Sequence, residues 1–182
     1  MPRLTLVGFR GTGKTTVASA VASRLGCDWQ DADVAFERQA GLTVAEFFAS
    51  HGEPAFRDRE TELLSRLLAT CDGVLATGGG VVVREANRRL LVERGRPIVW
   101  LDATSESVRR RLEADPSTAM RRPSLTGGDP FAEVERLLRD REPLYAEVAD
   151  LRIDTSHISP QEVVDRIAAW IGSRPLAPGS DP

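Results

Sequence analysis

The sequence predicts an α/β fold: a five-stranded parallel sheet flanked by helices, with a mobile lid. Three observations predict it. Short apolar runs recur at wide intervals, helix-period stretches lie between them, and a glycine-rich loop joins the first run to the first helix.

The apolar runs are Leu4–Val7, Val74–Ala76 and Ile98–Leu101, with weaker ones near Trp29 and at Arg152–Ile153. They are continuous rather than alternating, as expected of strands covered on both faces. The first helix is expected over Thr15–Leu25, where Val17, Val21 and Leu25 fall four apart ahead of Gly26. Further helices are expected over Phe56–Leu68, Glu85–Arg94, Glu106–Glu113, Phe131–Arg139 and Pro160–Ile171, the last with Ser159 as N-cap. The Pro-, Gly-, Ser- and Thr-rich stretch 114–130 is too long for a simple connection and reads as the lid. Residues 1–173 read as one domain without internal repeats, and residues 174–182 as a disordered tail.

Composition narrows the function classes. The chain has 182 residues, 41% hydrophobic and 28% charged, with a formal net charge of −3. No overall basic field exists to hold nucleic acid, so an anionic ligand must be held by a local cluster of positive groups. No apolar run approaches a membrane span, and the strand-like start at Met1–Val7 is expected to leave no room for a signal peptide. The expected setting is the cytoplasm, with no nucleic-acid or membrane partner. Cys27 and Cys71 match no metal or redox spacing and are expected to be buried thiols. His51 and His157 are expected at a helix end and in a loop, without catalytic roles. Of the 24 basic residues only Lys14 is lysine. A lysine kept against so strong an arginine bias points to a place that needs a compact ammonium rather than a planar guanidinium.

Lys14 stands in Gly8-Phe9-Arg10-Gly11-Thr12-Gly13-Lys14-Thr15, which fits the P-loop pattern at every fixed position. A strand before it and an amphipathic helix after it complete the context. The glycines let consecutive N–H groups face one centre, and the following helix adds its positive end. Gly11, Thr12, Gly13, Lys14, Thr15 and Thr16 are therefore the candidate nucleotide-binding set. Lys14 reaches the β- and γ-phosphates in such a loop, and the Thr15 hydroxyl ligates Mg²⁺. No Asn-Lys-x-Asp segment that would read guanine is present, which favours ATP.

The remaining motifs concern the acceptor. Asp31-Ala32-Asp33 follows the second strand candidate, and an extended conformation would point both carboxylates the same way. One could hold water on Mg²⁺ while the other meets an acceptor hydroxyl. A solvated pair of loop acids is the plainer alternative. Then come Gly52-Glu53-Pro54-Ala55-Phe56-Arg57, Glu60, Gly78-Gly79-Gly80 directly after a strand, Arg122-Pro123 in the lid, and Arg141-Glu142-Pro143-Leu144-Tyr145.

In that order and over roughly Leu4–Trp170, the set resembles shikimate kinase. The resemblance implies a P-loop kinase fold and transfer of the ATP γ-phosphoryl group to the 3-hydroxyl of shikimate, a step of aromatic amino-acid biosynthesis. It implies that Asp33 contacts the ring hydroxyls and acts as, or orients, the general base, and that Asp31 supports the Mg²⁺ shell through water. Arg57 and Arg141, with the backbone of Gly79 and Gly80, would hold the carboxylate. Arg122 would close with the lid onto the transferring phosphoryl group, and Arg109 and Arg110 would stack on adenine. A monomer is expected. Two departures stand out: Pro123-Ser124-Leu125 replaces the usual Pro-Leu-Leu, and the spacing from Arg110 to Arg122 is long. The competing readings are another small-molecule P-loop kinase, such as a gluconate or nucleotide kinase, and a catalytically silent nucleotide-binding relative.

Overall fold

In the computed structural model, which describes residues 1–114 and 130–173, five strands form one parallel sheet. They are β1 (Leu4–Val7), β2 (Trp29–Asp31), β3 (Val74–Ala76), β4 (Ile98–Asp102) and β5 (Leu151–Asp154), in the order β2-β3-β1-β4-β5. The central register pairs Leu6 with Ala76 on one side and with Val99 on the other. All five strands run the same way, so their carboxyl ends share one edge, where α/β folds bind ligands.

Period-2 geometry explains why the strands read as continuous apolar runs. Leu4 and Leu6 of β1, Val74 and Ala76 of β3, and Val99 and Leu101 of β4 point into one core. Helices α1 (Lys14–Leu25) and α7 (Pro160–Gly172) close that face with Val17, Val21, Val163, Val164 and Ile167. Val7, Leu75, Ile98 and Trp100 point into a second core on the opposite face. There they meet α3 (Val44–Thr70), α4 (Glu85–Arg94) and α6 (Pro130–Val148). Helix α2 (Ala32–Ala40) packs on α3, and α5 (Ser105–Ala114) packs on α6.

Several boundaries differ from expectation, each for a local reason. Helix α3 starts at Val44 instead of Phe56. Thr43 and Glu46 form a reciprocal capping box there, and the chain passes through a break at Gly52 (φ 79°, ψ 169°) before Pro54 resumes the helix. Helix α6 runs on past Arg139 to Val148 despite Pro143. Asp31-Ala32-Asp33 is not extended throughout: Asp31 ends β2 and N-caps α2, its Oδ1 accepting from the N–H of Asp33 (2.9 Å) and Val34 (3.2 Å). Of the two cysteines, only Cys71 is buried, and burial pushes its thiol pKa up; Cys27 is half-buried. No helix among the described residues is long and apolar enough to cross a membrane. The lid stretch and the tail, expected over 114–130 and 174–182, fall almost wholly outside the described residues.

Candidate active site

Two cavities meet at the carboxyl edge of the sheet. The first encloses about 1000 Å³ of open space and is lined by Gly11, Gly13, Lys14, Thr15, Thr16, Asp31, Asp33 and Thr77, among others. Its floor is the loop between β1 and α1. Gly8 must be glycine here, because a Cβ would stand 2.2 Å from the Leu101 carbonyl oxygen and φ is +145°. Gly13, at φ 90°, turns the chain into α1, whose first residue is Lys14. The Lys14 ammonium folds over its own loop and donates to the carbonyls of Gly8 (2.8 Å) and Phe9 (2.9 Å). The Thr15 hydroxyl donates to Asp31 Oδ2 at 2.7 Å, so the P-loop and the end of β2 already share a polar contact. The same Asp31 carboxylate that caps α2 therefore also holds Thr15.

The second cavity, of about 630 Å³, lies beside the first. Phe9, Phe48, Phe56 and Leu137 give it an apolar wall, and Arg57, Glu60 and Arg141 give it charge. Arg57 is only 7% exposed. It donates to Glu60 Oε2 (2.7 Å) and the Gly80 carbonyl (3.2 Å) through Nη1, and to Glu53 Oε1 through Nε and Nη2 (3.2 and 3.1 Å). Burial works to depress the Arg57 pKa, but the carboxylates of Glu60 and Glu53 outweigh it and leave the pKa raised. These bonds use four of the five guanidinium N–H groups, leaving one N–H on Nη2. Arg141, on α6, donates to the Gly79 carbonyl at 3.0 Å and lies 5.5 Å over the Phe9 ring. Tyr145, one turn further along, donates to the same carbonyl at 2.6 Å and stacks on Trp100.

The three glycines after β3 make room for three different groups. A Cβ on Gly78 would lie 2.8 Å from Asp33 Oδ1, one on Gly79 2.9 Å from the Arg10 amide nitrogen, and one on Gly80 2.4 Å from Arg57 Nη1. Asp33 and Arg57, distant in sequence, are thus brought to one turn. The resemblance gives the backbone of Gly79 and Gly80 to the substrate carboxylate; the carbonyls of these two residues also anchor Arg57, Arg141 and Tyr145.

The folded chain accordingly brings Lys14, Thr15, Asp31 and Asp33 together around the cradle, and Arg57, Gly79, Gly80 and Arg141 together around the neighbouring cavity. Arg122 lies outside the described residues. Arg110 is exposed on α5, and it is Arg111 that turns inward. It donates to the carbonyl of Gly11 (3.2 Å) and to Thr155 Oγ1 (3.0 Å), and also reaches the Thr155 carbonyl. Desolvation first, then Arg110, depresses the Arg111 pKa, with Asp154 opposing. Helical phase favours this choice: Arg111 follows the buried Ser107 by four positions and the buried Val108 by three, whereas Arg110 stands at such a spacing only from Ser107. Glu60, which the sequence names among the acceptor motifs without a role, is the acid one helical turn beyond Arg57 that pairs with it. His51 is exposed and stacks on Phe47, and His157 is exposed in a loop.

Comparison with known proteins agrees with this architecture. A family model described as shikimate kinase matches residues 10–172. The shikimate kinase of Rhodopirellula baltica is 44% identical over 164 residues, covering 90% of this chain and 87% of the relative. That of Symbiobacterium thermophilum is 43% identical over 171 residues, covering 94% and 97%. The solved structure of shikimate kinase from Acinetobacter baumannii in complex with shikimate aligns with a TM-score of 0.87 at 37% identity, covering 96% of this chain and 94% of that one. A family model over residues 10–172 and relatives above 40% identity across nine-tenths of the chain place it: the protein belongs to the shikimate kinase family.

Proposed function

We infer that the protein transfers the γ-phosphoryl group of ATP to the 3-hydroxyl of shikimate. The observation that carries this is the shared border of the two cavities: the P-loop cradle opens beside a pocket with one apolar wall and two arginines, Arg57 and Arg141. A ring acid suits that pocket. Its carbon face packs on Phe48 and Phe56, and its carboxylate meets the remaining Arg57 N–H and the Arg141 guanidinium.

Transfer to an alcohol needs in-line positioning and charge neutralisation more than covalent chemistry. Lys14, now on two neutral carbonyls, gains stronger charge-assisted bonds from phosphate oxygens. Asp33, held over Gly78 on the cradle side, takes or orients the proton of the attacking hydroxyl. The Thr15–Asp31 pair is an all-oxygen donor set that would hold Mg²⁺, which would supply neutralising positive charge. The family resemblance assigns Arg122 and the lid to closure over the phosphoryl group, excluding water. A monomeric cytoplasmic enzyme with one domain over 1–173 completes the proposal.

The test is an acceptor panel. Purified protein with Mg-ATP should release ADP with shikimate and not with gluconate or nucleoside monophosphates; absence of shikimate-dependent ADP release refutes the assignment. A pH–rate profile of Asp33→Asn against the parent distinguishes base from orienting group.

A further inference from the structure

Tyr145 closes the last acceptor motif, Arg141-Glu142-Pro143-Leu144-Tyr145, and the kinase reading gives it no task. It is 1% exposed and lines neither the cradle nor the acceptor pocket. Its hydroxyl nonetheless donates to the Gly79 carbonyl at 2.6 Å, and Gly79 lines both cavities. A glycine can line a cavity only with backbone. The Tyr145 hydroxyl therefore grips a piece of main chain that the two sites share.

Peptide geometry says what that grip fixes. The Gly79 carbonyl and the Gly80 N–H belong to one planar trans peptide and point opposite ways. Both side chains that donate to this carbonyl, Arg141 and Tyr145, come from α6, so the Gly80 N–H is turned away from them. The next carbonyl, that of Gly80, accepts from Arg57 Nη1. With glycine on both sides of the bond, no Cβ restrains the plane, and its hydrogen bonds must set it. The two donors are unequal holders. Arg141 is half-buried on a long stem, and an acceptor carboxylate draws its guanidinium more strongly than a neutral carbonyl does. Tyr145 has a stiff side chain, with its ring stacked on the buried Trp100 at 5.6 Å between centroids. Its hydroxyl keeps the peptide in place while Arg141 engages the acid. We propose that Tyr145 is a positioning residue of the acceptor site: acting from behind the Gly79–Gly80 peptide, it sets that peptide's orientation and, through it, the anchors of Arg57 and Arg141. This rests on the kinase reading above.

The experiment uses Tyr145→Phe, which keeps the ring and its stacking on Trp100 and removes only the donor. KM for shikimate should rise roughly tenfold, as one buried hydrogen bond at the turn is lost. KM for ATP, and kcat at saturating acid, should each move less than about twofold, the pattern of a defect in acceptor binding alone. A second readout needs no substrate. Only Gly79, Gly80 and Gly128 follow another glycine in the chain. Glycine labelled with ¹³C at the carbonyl and ¹⁵N at the amide therefore gives three coupled N–H signals, which sequential assignment tells apart. The signal pairing the Gly79 carbonyl with the Gly80 amide should shift in Tyr145→Phe, because that carbonyl loses a donor. This arm reads the peptide whatever acid the site takes, so failure of the shikimate assignment and failure of this inference are distinguishable. An unchanged KM for the acid overturns the proposal, and so does a Gly79–Gly80 signal that stays in place. A loss shared equally by KM for ATP, with a lowered thermal midpoint, also overturns it, since Tyr145 would then only support the fold.

Discussion

Glu60→Gln asks whether a buried ion pair holds Arg57 in place for an incoming carboxylate. Arg57 Nη1 and Glu60 Oε2 are 2.7 Å apart, and the two residues are 7% and 9% exposed. Unit charges about 4 Å apart at an effective dielectric of about 20 attract by about 4 kcal/mol. Glutamine keeps the shape and one acceptor oxygen, so a hydrogen bond from the cationic guanidinium worth about 1.5–2 kcal/mol survives. Glu53 still faces Arg57 from the other side, though its own side chain is half-exposed and screened. The expected net loss is about 2–3 kcal/mol, toward the lower end for breaking one partner of a buried pair. In a chain of this size that lowers the thermal midpoint by roughly 4–12 °C.

Urea and thermal unfolding of the parent, Glu60→Gln, Glu53→Gln and Arg57→Met/Glu60→Gln measure this directly. Glu53→Gln should cost less than about 1 kcal/mol. The double variant should regain part of the loss, because no buried charge is left unbalanced. KM for the acid should rise in Glu60→Gln, as the Arg57 fork loses its clamp. If Glu60→Gln proves as stable as Glu53→Gln, the buried pair does not carry the energy ascribed to it and the argument fails.

Three other outcomes follow from local geometry. Gly80→Ala places a Cβ 2.4 Å from Arg57 Nη1, on a side chain that three bonds to Glu53 and Glu60 hold still; KM for shikimate should rise at least about tenfold with KM for ATP unchanged, and stability should fall by about 1–3 kcal/mol. Thr15→Val removes the hydroxyl donating to Asp31, so titrating Mg²⁺ against activity should show a weaker apparent metal affinity, with metal-free nucleotide binding unaltered. Glu46 and Glu162 have pKa values held below the ordinary glutamate range by the backbone and side-chain bonds of Thr43 and Ser159. Their folded pKa being the lower one, both add stability above the unfolded pKa and lose it as pH falls through the folded one, so Glu46→Gln/Glu162→Gln should flatten the acid limb of a stability–pH curve.

What could be read in advance was what local chemistry decides. Gly8 to Thr15 needs only its own glycines, one strand and one helix, and the fold places it as the motif requires. The parallel sheet followed from β1, β3 and β4, whose residues are apolar on both faces because both faces are covered. What escaped notice depended on tertiary partners. The expected helix ended at Arg139, yet α6 continues through Pro143 to where Tyr145 is buried against Trp100 and bonded to Gly79. Gly52 hid the continuity of α3, and the helical cap at Asp31 hid behind the simpler idea of an extended Asp-x-Asp. Three consecutive arginines, 109–111, could be sorted only in the fold, which turns Arg111 toward Gly11 and Thr155.

The turn after β3 explains why acceptor and nucleotide chemistry are coupled in this chain. Gly78, Gly79 and Gly80 sit between Asp33, the Arg10 backbone and Arg57, each at a distance that excludes a Cβ. The turn is also gripped from outside, its carbonyls accepting from Arg57, Arg141 and Tyr145. A displacement at Gly79 therefore moves the anchor of Arg141 and the wall behind Arg10 together, because both rest on the same residue. Side chains could not do this, since rotamers on separate helices relax independently, whereas one buried turn of backbone sets the distances from Asp33 to Arg57 and Arg141 as a single unit.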